Sequence, residues 1–231
     1  MEFKKGFTLA EVLITLVIIG VIAAMTIPTL INKTNEQETV TAVKKAYSVL
    51  GQAYQKVIAE NGEIIPSTLG ENDIEATKNL GEMFAKQLST LKVCGMSTNE
   101  DCFAKSGYKS FGNNSAIWNY NVSSNQFKLR LNDSMSVAFY VWGTSYSNYG
   151  DTESLSQVIG LTTVDINGDK GPNVFGKDTF SFYITKYGIF PYGTPDDLSN
   201  PLSSCKTTGH GCAAWVIAKG NMDYLRKDVS W

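Results

Sequence analysis

Hydrophobic and polar positions change their pattern along the chain. Residues 12–27 are apolar almost without a break, softened only by Thr15, Gly20 and Thr26. As an α-helix, residues 8–27 span roughly 30 Å, the thickness of a bilayer's hydrocarbon core. Lys4 and Lys5 precede this run. Positive charge there keeps the start of the chain cytoplasmic and sends the remainder across. After Asn32 the chain turns polar but keeps a helical period. Val40, Val43, Tyr47, Leu50, Tyr54 and Val57 recur at alternating spacings of three and four, with Lys44, Lys45, Gln52 and Lys56 off the stripe. Asn61-Gly62 is a stop signal. One helix through both segments, about 54 residues long, would reach roughly 80 Å. Its second half is expected to lie on the protein's own sheet. A two-helix coiled coil is the competing partner, but only about three heptads are present.

Beyond the stop, residues 72–91 predict a second amphipathic helix with Ile74, Leu80, Phe84, Leu88 and Leu91 inward, capped by Asn72 or Asp73. From about residue 115 the pattern becomes that of strands. Residues 116–122, 126–131 and 135–142 alternate, separated by Ser-Ser-Asn and Asn-Asp-Ser turn signals. Further strands are predicted at 159–166, 179–185 and 213–218. Trp118, Tyr120, Phe139, Tyr140, Trp142, Phe180 and Phe182 crowd this half; core and sheet-face packing is preferred for them over carbohydrate stacking. Residues 143–156 are polar, rich in Gly and Ser, and predict an exposed loop. Helices followed by antiparallel strands make an α+β arrangement.

A length of 231 residues, 43% of them hydrophobic, suffices for one cored domain plus an extra element. The net charge of −2 and the lack of a dense Lys/Arg run argue against binding a nucleic-acid backbone. Removing residues 1–6 takes away Lys4, Lys5 and Glu2, a net +1, and leaves −3. The four Cys fall into close pairs, Cys94/Cys102 and Cys205/Cys212. An even count in an exported domain reads as disulfides, and the local pairing is preferred among the three connectivities. Each loop closed in this way stabilises by roughly 2–3 kcal/mol. Zinc held by Cys205, His210 and Cys212 is the competing reading, and it lacks a well-spaced fourth ligand.

Glu11 does not fit an ordinary apolar segment. An ionised carboxylate inside a membrane span is costly, and by default it marks function with a partner. A cleaved signal peptide with Ala23-Ala24 as its small-residue site leaves Glu11 without a use, as does a plain signal anchor. The run Lys5-Gly6-Phe7-Thr8-Leu9-Ala10-Glu11-Val12-Leu13, followed by a long apolar stretch, resembles the class III signal of type IV prepilins and type II secretion pseudopilins. About 25 residues carry the resemblance. It implies that prepilin peptidase, a membrane aspartyl peptidase, cuts between Gly6 and Phe7 and methylates the new N-terminus, and that Glu11 is the assembly glutamate. It also implies a leader at 1–6, a transmembrane and assembly helix at 7–31, its amphipathic continuation at 32–61, and an extracytoplasmic αβ-roll head at 62–231. Gly20 and Pro28 match positions where helices of that family bend or unwind; membrane helices also tolerate both residues without bending.

Residues 165–178 contain the remaining site-like constellation. Asp165, Asn167 and Asp169 have the alternating oxygen spacing of a calcium loop, which Asn173 and Asp178 could close. Gly168 comes two positions early for an EF-hand, and no Glu stands at the twelfth position. The loop is similar to the calcium-stabilised loop of major-type pseudopilin heads; a metal-free Asx-rich turn is the alternative. Enzyme readings find no support: His210 is the sole His, and GxSxG, HExxH and P-loop motifs are absent. The expectation is a structural subunit of a type II secretion pseudopilus or type IV pilus in the bacterial inner membrane, polymerised with itself and other pilin-like subunits by an inner-membrane assembly platform. The alternative is a minor or tip pilin serving as an adhesin or in DNA uptake.

Overall fold

The computed structural model describes Gly6, residues 8–199 and residues 201–231. Two compact units emerge, Met1–Glu38 and Thr39–Trp231. Helix α1, Leu9–Asn61, contributes to both. In the first unit its large apolar side chains, Leu9 through Ile31, are exposed, and the helix is long and apolar enough to cross a membrane. The hydroxyls in this run turn back on their own helix. Thr15 Oγ1 donates to the Val12 carbonyl and Thr26 Oγ1 to that of Ile22, each at 2.9 Å, so neither enters lipid unsatisfied. The helix continues through Gly20 and Pro28. It stops where the sequence said it would: Gly62 has φ +79° and its N–H donates to the Ile58 carbonyl at 2.9 Å.

In the second unit the predicted stripe packs on the protein's own sheet. Val40, Val43, Leu50, Tyr54 and Val57 are buried, joined by Ala46 and Ala53, while Tyr47 stacks on Phe182 at 5.9 Å. Each such aliphatic contributes roughly 1.5–3 kcal/mol when fully buried. After a short turn of helix α2 (Pro66–Leu69), α3 (Asp73–Gln87) starts with the Asn72 side chain accepting from the N–H groups of Ile74 and Glu75. Leu80 and Phe84 are buried as predicted. The helix ends earlier than residue 91, however. Leu88 is already extended, and residues 90–95 form a strand that the sequence reading missed, leaving Leu91 exposed; Ile74, in the first turn, is exposed as well.

The sheet has six antiparallel strands in the order β1 (Thr90–Gly95), β4 (Phe127–Leu131), β5 (Ser136–Val141), β6 (Val158–Asp165), β7 (Thr179–Thr185), β8 (Gly188–Pro191). The β4–β5 hairpin turns through Ser134 at φ +72°. The predicted strand at 116–122 is corrected. Strand β3 (Asn113–Trp118) pairs instead with β2 (Tyr108–Ser110) in a separate hairpin, and Tyr120–Val122 is a 3₁₀ turn capped by Asn119. The strand predicted at 213–218 is also corrected. Ala213–Lys219 is a helix, α6, which follows α5 (Pro201–Thr207) and ends on Gly220 in the left-handed region. Its Ala and Lys residues favour helix, and a short apolar run does not distinguish the two periods. The supposed loop at 143–156 is tied down: it holds a helical turn, α4 (Glu153–Ser156), with Leu155 buried, and Tyr146 donates to the Ile64 carbonyl at 2.9 Å.

Alternation gives the sheet two unlike faces. Val137, Phe139, Val141, Phe180, Phe182 and Ile184 face α1 and α3 in the main core. Lys128, Ser136, Ala138, Thr163, Asp165 and Ser181 alternate with them on the other face, which loops cover around a small second core of Phe103, Tyr108, Tyr120 and Phe175. Disulfides close Cys94–Cys102 and Cys205–Cys212. That second bond leaves Cys205 and Cys212 no thiolate for the zinc reading.

Lys128 is an anomaly on this outer face. Its side chain is fully buried, its ammonium donates to the Ser123 carbonyl, and no carboxylate forms an ion pair with it among the described residues. Burial pushes its pKa down to about 8. Below that pH both folded and unfolded chains carry the proton, and the folded state bears the full penalty. Between about 8 and the free-lysine value the unfolded chain holds more protons, so this residue makes stability rise with pH. Lys128→Met is expected to raise stability at pH 7 by about 1–2 kcal/mol and to abolish that rise. Chemical melts of both proteins between pH 7 and 9, where free tyrosine (pKa about 10) is still largely protonated, read both effects.

Candidate functional site

The start of α1 is built by a local rule. Thr8 is the N-cap and Glu11 the third helical residue. Thr8 N and Thr8 Oγ1 both donate to Glu11 Oε2 at 2.8 Å, and the Glu11 N–H donates back to Thr8 Oγ1 at 3.3 Å. This reciprocal box satisfies backbone donors that a helix start leaves orphaned. The T-x-x-E spacing of Thr8 and Glu11 is the sequence signal of such a box. Gly6 lies in coil just before the cap; Phe7 and residues 1–5 lie outside the described residues.

The acidic loop joins β6 to β7 on the outer face of the sheet. Asp165, the last residue of β6, is buried. Its Oδ1 accepts from the N–H groups of Asn167 and Gly168 at 3.0 Å each, and its Oδ2 accepts from Tyr108 at 2.5 Å. Burial pushes the Asp165 carboxyl up to about 7, opposed by these donors, with the nearby Asp178 charge adding to the rise. Asp178 Oδ2 accepts from Asn173 N at 2.6 Å and Oδ1 from Val174 N at 2.8 Å, and burial raises its pKa too. Asn173 adopts φ +54° and directs its side-chain NH₂ to Ser106 at 2.9 Å. The side-chain oxygens of Asn167 and Asn173 are buried without a hydrogen-bond partner. Unmade bonds of this kind are costly, and they call for an explanation.

Asp165, Asn167, Asn173 and Asp178 are therefore neighbours: the Asp178 carboxylate accepts from Asn173 N and from the Asn167 side chain, and its charge acts on Asp165. Asp169 does not join them. Both of its oxygens are held by Arg130 at 2.7 Å, and the guanidinium keeps its carboxyl below the usual range. Arg130 also donates to the Cys102 carbonyl, as does Ser136, which links the loop to the Cys94–Cys102 segment. Tyr108 and Arg130, 57 and 39 residues away from their partners, carried no local signal. Among the described residues no group of three or more His, Cys, Asp or Glu is arranged to hold a metal. The donor set here is two carboxylates and two amide oxygens. All are hard oxygens, suited to calcium rather than to a thiolate- or imidazole-seeking metal.

A long apolar N-terminal helix continuing into an antiparallel six-stranded sheet is consistent with the α+β fold of pilin-like proteins. Residues 2–27 match the family model of the prokaryotic N-terminal methylation motif. The chain thus carries the prepilin-type signal of type IV pilins and pseudopilins, and the match supports a pilin-like structural subunit. No curated protein and no solved structure matches the chain. The signal and the exposed apolar helix fit a membrane-anchored pilin, whose kind is trimmed by prepilin peptidase and polymerises with other pilin subunits.

Proposed function

We propose that this chain is a structural subunit of a type II secretion pseudopilus. In this reading it is anchored in the inner membrane by a single pass, with its head outside the cytoplasm, cut between Gly6 and Phe7, and polymerised by an inner-membrane assembly platform. The observation that carries the proposal is Glu11, a carboxylate four positions after Phe7 in an otherwise apolar helix start. Within a helical bundle the carboxylate of one subunit neutralises the α-amine of its neighbour. That pairing offsets the desolvation of both charges and sets the axial register. Intact mass and N-terminal analysis of the protein from its native membrane provide the test. A chain beginning at N-methyl-Phe7 supports the reading. A chain beginning near Met25, or an uncut Met1, overturns it.

The acidic loop favours the pseudopilus over a pilus, and we propose calcium as its ligand. Asp165, Asp178 and the orphaned oxygens of Asn167 and Asn173 would hold the ion, which there would only cross-link β6 to β7. Asp169 remains with Arg130. Saturating calcium is expected to raise the melting temperature of the full chain by several degrees over the protein in chelator. That corresponds to roughly 3 kcal/mol at a hundredfold excess over Kd. Asp178→Asn is expected to abolish the shift while Asp169→Asn retains it. Equal melting with and without calcium would leave the loop an Asx-rich turn.

A further inference from the structure

The face of the sheet turned away from α1 and α3 carries a cavity of about 370 Å³, within the range of small-molecule sites. Its floor is Ala138, Leu161 and Thr163 of the two central strands. Trp118, at the end of β3, stands over it 52% exposed, and Tyr140 is half-buried beside it. His210 steadies the indole. Its ring lies against Phe175 at 4.0 Å and meets Trp118 edge-on at 6.3 Å. The core reading therefore fits Tyr120, Phe139, Phe180 and Phe182, which are buried, but not Trp118.

The polar lining is made of amides and hydroxyls, chiefly Asn119, Asn125, Gln126 and Ser123, with the imidazole of His210, whose pKa burial lowers; no Asp, Glu, Lys or Arg takes part. Lys128 donates to the carbonyl of Ser123 but is buried below the surface and does not line the cavity. Gln126 Oε1 is buried and has no hydrogen-bond partner. Such an acceptor is costly to leave unmade, so a ligand hydroxyl or N–H that reaches it once the amide turns toward the cavity is favoured.

We propose that this cavity binds a neutral pyranose unit of a glycan. A pyranose has an apolar C–H face that covers an indole, and a rim of hydroxyls that amide side chains can both donate to and accept from. A lipid would strand the amides without partners. Single-stranded nucleic acid also stacks on aromatics but needs cations along its phosphates, which the lining lacks.

The test uses the full chain in a detergent without a sugar headgroup, titrated with cellobiose, lactose and N,N′-diacetylchitobiose. Binding is followed by saturation-transfer NMR and tryptophan fluorescence. At least one disaccharide is expected to bind. Trp118→Ala is expected to weaken it by about tenfold and Gln126→Leu by about fivefold. Tyr187→Ala, an exposed aromatic outside the cavity, is expected to change nothing, and unchanged thermal melts show that the variants remain folded. The proposal is overturned if none of the three binds, if binding survives both cavity variants, or if an oligothymidylate binds through Trp118 while the sugars do not. None of these readouts depends on N-terminal processing, so failure here leaves the filament reading standing, and the reverse.

Discussion

Glu11→Gln is expected to insert and be trimmed normally, yet to enter filaments on the order of a hundredfold less than the native chain. The substitution separates the roles that Glu11 can play. In the structure its carboxylate closes a capping box with Thr8, taking the Thr8 N–H and hydroxyl on one oxygen. Gln at the third helical position makes the same box, so the helix start survives. What Gln cannot do is neutralise a neighbouring subunit's N-terminal amine. Desolvated in a bundle, that amine is left uncompensated, which is far worse than replacing both charges. Glu11→Leu loses the cap as well and is expected to incorporate no better. Immunoblots of sheared filaments against membrane fractions, with intact mass to confirm trimming, measure the ratio. Native-level incorporation of the Gln variant would reduce Glu11 to a helix cap.

The N-terminal helix was legible because its physics is local. A span length, a T-x-x-E box and a three-four stripe are each set by residues within a few turns of one another, and α1 follows them to its stop at Asn61. The head was legible where alternation was long, as in β6 and β7. It failed where an apolar run was short: residues 213–218 suit either period, and a helix-capping Gly220 decides. Strand β1 was hidden because Leu88 and Leu91 extend the helical spacing of α3, whereas residues 90–95 owe their conformation to pairing with β4. In the acidic loop the spacing singled out five side chains but not the groups that hold them. Asp169 was claimed by an arginine on β4, and Asp165 accepts from a tyrosine on β2. Those contacts depend on tertiary placement, which no spacing encodes.

Gly81 shows the same limit. In sequence it is a weak point inside a helix, and alanine there should gain about 1 kcal/mol from propensity. In the structure α3 crosses β4 at this residue. A methyl group on Gly81 would lie 2.1 Å from Cγ, 2.3 Å from Cδ1 and 2.6 Å from Cβ of Phe127, whose ring is buried in the main core. Those atoms are the root of the side chain, so the ring cannot swing clear, and the helix must lift from the sheet instead. Overpacking of this kind costs roughly 1–3 kcal/mol, and more where the backbone has to move. Gly81→Ala is therefore expected to destabilise by about 2 kcal/mol net, lowering the melting temperature by about 4–8 °C. Phe127→Ala alone is expected to cost about 3–5 kcal/mol. With the ring gone the added methyl has room, so the double variant is expected to be less destabilised than the sum of the two by about 1–2 kcal/mol. Thermal and urea melts of the four proteins close the cycle. If Gly81→Ala stabilises the chain, as it would on an exposed helix, then α3 does not make this contact with β4.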